Sequence, residues 1–180
     1  PRIRVADPVY NAQVICEQAK EAAEHGAKIV VFPELCITGY TCGDLFTQDL
    51  LLENAKKGLQ KIATHTGNKD GIFFIGMPLA VDGELYNVAA AVNHGHILGF
   101  TTKTFLPNYG EFYEMRQFCA GPKEARKISF DGKMIPFGPQ ILFVAEEMQS
   151  LVIAAEICED VWSTVPPSIQ AAREGAVLIV

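Results

Sequence analysis

Lys28-Ile29-Val30-Val31-Phe32-Pro33-Glu34 is a short apolar run rich in β-branched residues, stopped by proline and followed by a carboxylate. Such a run reads as a strand buried on both faces, with Pro33 ending it. Ahead of it, Val14, Ile15, Ala19, Ala22 and Ala23 recur at helical spacing. Asn11 or Asp7 can cap that helix, Pro8 suits its first turn, and His25-Gly26 closes it. A helix followed by a buried strand is half of a βαβ-type unit whose opening strand is missing.

Working outward, a second helix is expected from Leu50 to His65, broken at Gly67-Asn68. Gly71 to Gly76 reads as another buried strand. Asp82-Gly83 is a hairpin signal joining it to Leu85–Asn93, and His94-Gly95 leads into His96–Thr102. These three strands predict a meander. A loop-rich stretch from Leu106 to Lys123 follows, then strands at Lys127–Phe130, Ile141–Val144 and Ser150–Ala155. Pro166-Pro167 opens a helix through Arg173, closed by Gly175, and Ala176–Val180 is a last buried strand. The pattern predicts one α/β domain with a mixed sheet and helices against it. A domain does not normally stop within an apolar strand, so residues 1–180 are expected to be a fragment truncated at both ends.

Composition narrows the function classes. Hydrophobic residues make up 49% and charged residues 20%, ordinary globular values. No apolar stretch of about eighteen residues is present, so no membrane span is expected. A net charge of -6 with no Lys/Arg block argues against nucleic acid. Cys16, Cys36, Cys42, Cys119 and Cys158 form neither a disulfide framework nor a CxxC pair, and no histidine pairs with them at zinc spacing. No metal is expected, and a reducing, cytoplasmic compartment is.

Three segments place polar chemistry at strand ends. Glu34 in Phe32-Pro33-Glu34-Leu35-Cys36-Ile37-Thr38-Gly39-Tyr40 lies at a sheet's carboxyl edge, where α/β folds hold their sites. Burial there would raise its pKa and let it exchange protons near neutrality, although a helix cap or a surface charge has the same signature. Lys103 opens Lys103-Thr104-Phe105-Leu106-Pro107-Asn108-Tyr109-Gly110-Glu111-Phe112-Tyr113-Glu114, where a fixed ammonium could stabilise an oxyanion and an aromatic loop could line a cleft. A solvated lysine and core aromatics fit the same pattern. Cys158 in Glu156-Ile157-Cys158-Glu159-Asp160-Val161-Trp162 follows a strand, but its acidic sequence neighbours should raise the thiol above about 8.5. A reactive Cys158 therefore needs a lysine and a base close in space.

Taken together in this order, the three segments resemble the signatures of the nitrilase superfamily of carbon–nitrogen hydrolases. Their spelling, FPELCITGY, KTFLPNYGEFYE and EICEDVW, is most similar to the glutaminase domain of glutamine-dependent NAD synthetases, along essentially the whole chain. The resemblance implies a four-layer αββα sandwich, with residues 1–180 a single amidase domain. It implies Glu34 as general base, Cys158 as nucleophile, and Lys103 with the Glu159 N–H as oxyanion site. Glu114 would be a second carboxylate orienting the catalytic groups, with Glu111 its rival. Tyr40, Tyr109, Phe112 and Glu159 would surround glutamine. Ammonia would pass to a synthetase domain that uses ATP and Mg. That domain, like the remaining glutamine contacts, is absent from these residues. This domain would need no cofactor, and its copies would meet as a homo-oligomer. A stand-alone amidase or carbamoylase keeps the same residues. A papain-like protease would need a partner histidine, and a non-enzymatic module would tolerate loss of Cys158.

Overall fold

The computed structural model describes residues 1–180. Helix α1 (Pro8–Glu24) is capped by Asp7, whose carboxylate accepts from the Tyr10 N–H at 3.0 Å. Asn11 lies inside the helix instead, and its amide ties Arg4 to Ile37. Ala12, Ile15, Cys16 and Ala19 make a fully buried stripe spaced three and four apart. Helix α2 (Asp49–Thr66) buries Leu51, Ala55, Leu59 and Ile62 in the same way.

Strand β1 (Ile29–Val31) pairs in parallel with β2 (Ile72–Val81). The meander follows: β2, β3 (Glu84–Asn93) and β4 (His96–Thr102) are antiparallel neighbours. Asp82-Gly83 and His94-Gly95 form its turns, and all four residues have φ between 46° and 85°. That pair of left-handed residues is what a tight hairpin requires, and it sets the register Val81↔Glu84 and Asn93↔His96. Asp131-Gly132 joins β5 (Arg126–Phe130) to β6 (Lys133–Gly138) by the same device, and β6 runs parallel to β4. The resulting six-stranded sheet has the order β1-β2-β3-β4-β6-β5.

A second sheet holds β7 (Leu142–Val144), β8 (Val152–Ala154) and β9 (Leu178–Ile179), with β9 parallel to β8. The side-chain alternation of β2 shows how the layers stack. Phe73, Ile75, Met77 and Leu79 join the core beneath α1 and α2, while Phe74 points the other way into a cluster with Ala91, Phe143, Ile153 and Ala155. Phe74 and Phe143 meet edge-on at 5.5 Å, so the two sheets pack face to face. The inner face of the second sheet is thereby filled. Helix α3 (Pro167–Arg173), in the crossover from β8 to β9, is left the outer face. The layers run helix, sheet, sheet, helix: the αββα sandwich.

Two expectations are corrected, and one strand is new. β1 is an edge strand with Val31 52% exposed, not a strand buried on both faces. β9 likewise leaves Ile179 exposed, as is Val177 just before it, because the strand pairs on one side only. β6 is the strand without a sequence expectation; its Pro136 is tolerated because pairing with β4 begins only at Phe137.

Candidate functional site

Strand direction brings the site together. β1 is parallel to β2, and β4 is reached from β2 by two antiparallel steps, so β1 and β4 run the same way. Their carboxyl ends share one edge of the sheet, and Glu34 and Lys103 follow those ends. Lys103 is 1% exposed, and its ammonium donates to Glu34 Oε1 at 2.6 Å and to Glu114 Oε1 at 2.7 Å. Tyr40 OH also donates to Glu114 Oε1 at 2.7 Å. Burial alone would lower the Lys103 pKa. The Glu34 charge and the hydrogen bonds to both carboxylates outweigh it and raise the lysine pKa, so the ammonium stays charged. Glu114 is 4% exposed whereas Glu111 is exposed, so Glu114 is the carboxylate that meets Lys103.

The turn carrying Glu34 depends on Gly76. A Cβ at Gly76 would lie 2.4 Å from Pro33 O and 2.5 Å from Leu35 N, so only glycine lets this turn rest on β2. Leu35, next to Glu34, and Cys158 both take left-handed φ, at 50° and 47°. Such strain in non-glycine residues gathers at functional sites.

Cys158 follows β8 and is exposed to solvent, unlike the buried Cys16, Cys36 and Cys42. Its thiol is raised by burial first and by the Glu34 charge next, and lowered by Lys103. The thiol is raised, as expected from its acidic surroundings, but the leading charges come from across the site rather than from Glu159 and Asp160. Lys103 and Asn87 both engage Oε1 of Glu34, which leaves Oε2 clear of both. Cys36, two residues from Glu34, is pushed up to about 12 by burial and is inert at neutral pH.

An aromatic wall runs from Glu114 to Glu159. Phe112 meets Tyr40 edge-on at 6.4 Å and Tyr109 at 5.8 Å. Tyr109 OH donates to the Glu159 carboxylate at 2.9–3.0 Å. That bond is the leading cause of the raised Tyr109 pKa. A cavity of about 200 Å³ opens beside Tyr40 and Glu114, lined also by Thr41, Glu111 and Tyr113. A larger one of about 380 Å³, between α2 and strands β2 and β5, contains none of these groups.

Two buried polar residues were not singled out in the sequence. Asn87 Nδ2 donates to Glu34 Oε1 at 2.6 Å, and its backbone carbonyl accepts from the Lys103 N–H at 2.9 Å. An asparagine inside the apolar β3 was the available signal. Asp160 lies 1% exposed beneath the Cys158 turn; its place in Cys-Glu-Asp was visible, its burial was not.

A sandwich with a carboxylate and an ammonium at the edge of one sheet and a thiol after a strand of the other defines a class of enzymes that cleave carbon–nitrogen bonds. The carbon-nitrogen hydrolase family model matches residues 1–180, and the chain belongs to that family. It is 38% identical over 175 residues to a glutamine-dependent NAD(+) synthetase of Mycobacterium leprae, covering 97% of this chain and 26% of the relative. The crystal structure of a glutamine-dependent NAD(+) synthetase from Cytophaga hutchinsonii superposes with a TM-score of 0.84 at 32% identity, covering 97% of this chain and 28% of that one. A mutant amidase from Nesterenkonia sp. AN1, with acrylamide added to its active-site cysteine, superposes with a TM-score of 0.67 at 25% identity; 98% of this chain and 61% of that one are covered. The chain thus spans about a quarter of the length of the synthetases it matches.

Proposed function

We propose that residues 1–180 carry the glutaminase site of a glutamine-dependent NAD synthetase. The observation that carries this reading is the Lys103 ammonium, buried between the Glu34 and Glu114 carboxylates, with the Cys158 thiol close enough to feel the charges of Glu34 and Lys103. Glu34 takes the thiol proton through Oε2, and Sγ attacks the side-chain amide carbon of glutamine. Lys103 and the Glu159 N–H hold the oxyanion. The proton on Glu34 passes to the leaving nitrogen, which departs as ammonia and leaves a thioester. Water then loses a proton to Glu34 and attacks the thioester, releasing glutamate and restoring the thiol. Glu114 holds Lys103 in place from its far side.

Tyr40, Phe112 and Tyr109 form an apolar wall for the substrate chain, and Glu159 suits its α-ammonium group. By the same reading this domain needs no cofactor. Its ammonia passes to a synthetase domain that uses ATP and Mg to form NAD, and its copies assemble as a homo-oligomer. Five unpaired cysteines suit the reducing cytoplasm, and no helix is long and apolar enough to cross a membrane.

The likeness to the Nesterenkonia amidase supports a second reading, a stand-alone amidase. Glu34→Gln in the full-length protein separates the two. The synthetase reading expects glutamine-dependent NAD formation to vanish and free ammonia to restore it. Loss of hydrolysis with no ammonia-driven NAD formation in either protein favours the amidase.

A further inference from the structure

Asp160 belongs to neither the proton transfers nor the substrate wall, yet its carboxylate touches both strand ends of the site. Oδ1 accepts from the N–H groups of Thr104 and Phe105 at 2.9 and 2.7 Å, directly after Lys103. Oδ2 accepts from the Ile157 N–H at 3.3 Å, directly before Cys158. Asp160 returns its own N–H to the Ile157 carbonyl at 3.0 Å, so two reciprocal bonds close the turn around Cys158 and Glu159. That turn holds Cys158 at φ 47°, a conformation that persists only where the surroundings over-determine it. β4 and β8 lie in different sheets and share no ladder. Asp160 supplies a direct hydrogen-bonded tie between their ends.

We propose that Asp160 is a positioning residue whose buried carboxylate ties the Cys158 turn to the segment after Lys103, so that thiol and ammonium address the same substrate carbon. The proposal rests on the glutaminase reading for its substrate but not for its geometry. A carboxylate suits the place because all three partners are N–H donors. Asparagine would keep an acceptor for Thr104 and Phe105 but would turn an NH2 group toward the Ile157 N–H. The nucleophile turn would be released while the lysine segment stays tied.

The test is Asp160→Asn in the full-length protein, read by glutamine kcat and KM, by the alkylation rate of Cys158 with iodoacetamide, and by the thermal midpoint. The expected result is a folded protein with kcat reduced about 10²-fold, the scale of a misplacement near 1 Å, and KM within about twofold. Cys158 alkylation falls with kcat, because the thiol no longer faces Glu34. A lowered midpoint with kcat per folded molecule and alkylation both unchanged would overturn the proposal, since Asp160 would then be structural only. Absence of glutamine hydrolysis in the unsubstituted protein would sink the glutaminase reading and leave the alkylation comparison to decide on Asp160. Should Asp160→Asn fail to fold, Asp160→Glu keeps the charge with a longer reach, and unaltered alkylation and turnover in it count against the proposal. Hydrogen exchange on the unsubstituted protein gives an arm independent of any variant. The amides of Thr104, Phe105 and Ile157 should be protected and open together, and an Ile157 amide exchanging freely while the other two stay protected contradicts the tie.

Discussion

Gly76→Ala tests whether the Glu34 turn is held where the chemistry needs it. The added Cβ would sit 2.4 Å from Pro33 O, 2.5 Å from Leu35 N and 2.8 Å from the Glu34 carbonyl carbon. All three neighbours are backbone, so no side chain can swing away. Ordinary contact at about 3.4 Å requires the turn to lift by about 1 Å, and overpacking of this kind costs about 1–3 kcal/mol. The same displacement carries the Glu34 carboxylate away from Lys103 and the thiol, and a misplacement of about 1 Å can cost 10²-fold in rate. The assay is glutamine turnover alongside urea denaturation of the same preparation. The expected outcome is a midpoint shifted by that cost and kcat down by about two orders of magnitude. Full turnover in a folded Gly76→Ala protein would refute the reasoning, whatever its stability.

Lys103→Met leaves the Glu34 and Glu114 side chains, 16% and 4% exposed, facing each other without a cation. Breaking a buried pair from one side should destabilise by about 3–5 kcal/mol in urea denaturation, and a loss under about 1 kcal/mol would show the carboxylates already share a proton. Burial raises the Asp160 carboxyl from 3.8 to about 6. The folded state therefore binds that proton more tightly than the unfolded chain, and stability from this group rises as pH falls from about 6 to about 4, by on the order of 3 kcal/mol. Denaturation of the unsubstituted protein and Asp160→Asn across that range should show the difference growing toward acid; a flat difference contradicts it. Glu159→Gln should raise KM for glutamine by the equivalent of about 1.5–3 kcal/mol, with kcat held, if the carboxylate binds the substrate ammonium. A fall in kcat at unchanged KM would place Glu159 in the transition state instead.

Glu34, Lys103 and Cys158 were legible because each lies within four residues of a strand's end, where a sheet presents its edge. Gly76, Asn87 and Asp160 were not, because their roles lie in pairings that span 53 to 56 residues of chain or in a fit against another segment's backbone. Nothing in Tyr86-Asn87-Val88 tells which way the Asn87 amide points. Hairpin turns were readable from Asp-Gly and His-Gly, where conformational demand selects the residue locally. Burial of β1 was misjudged for the opposite reason: a short apolar run looks alike at the centre and the edge of a sheet, and only the neighbouring strands decide.

The proposed chemistry requires Cys158 to be the one nucleophile among five free cysteines. Full-length protein treated with a glutamine-derived chloroketone, digested and read by mass spectrometry, should carry a single adduct on Cys158, with saturating glutamine protecting it. An adduct on Cys36 or Cys42, or glutamine hydrolysis that survives complete modification of Cys158, would contradict it.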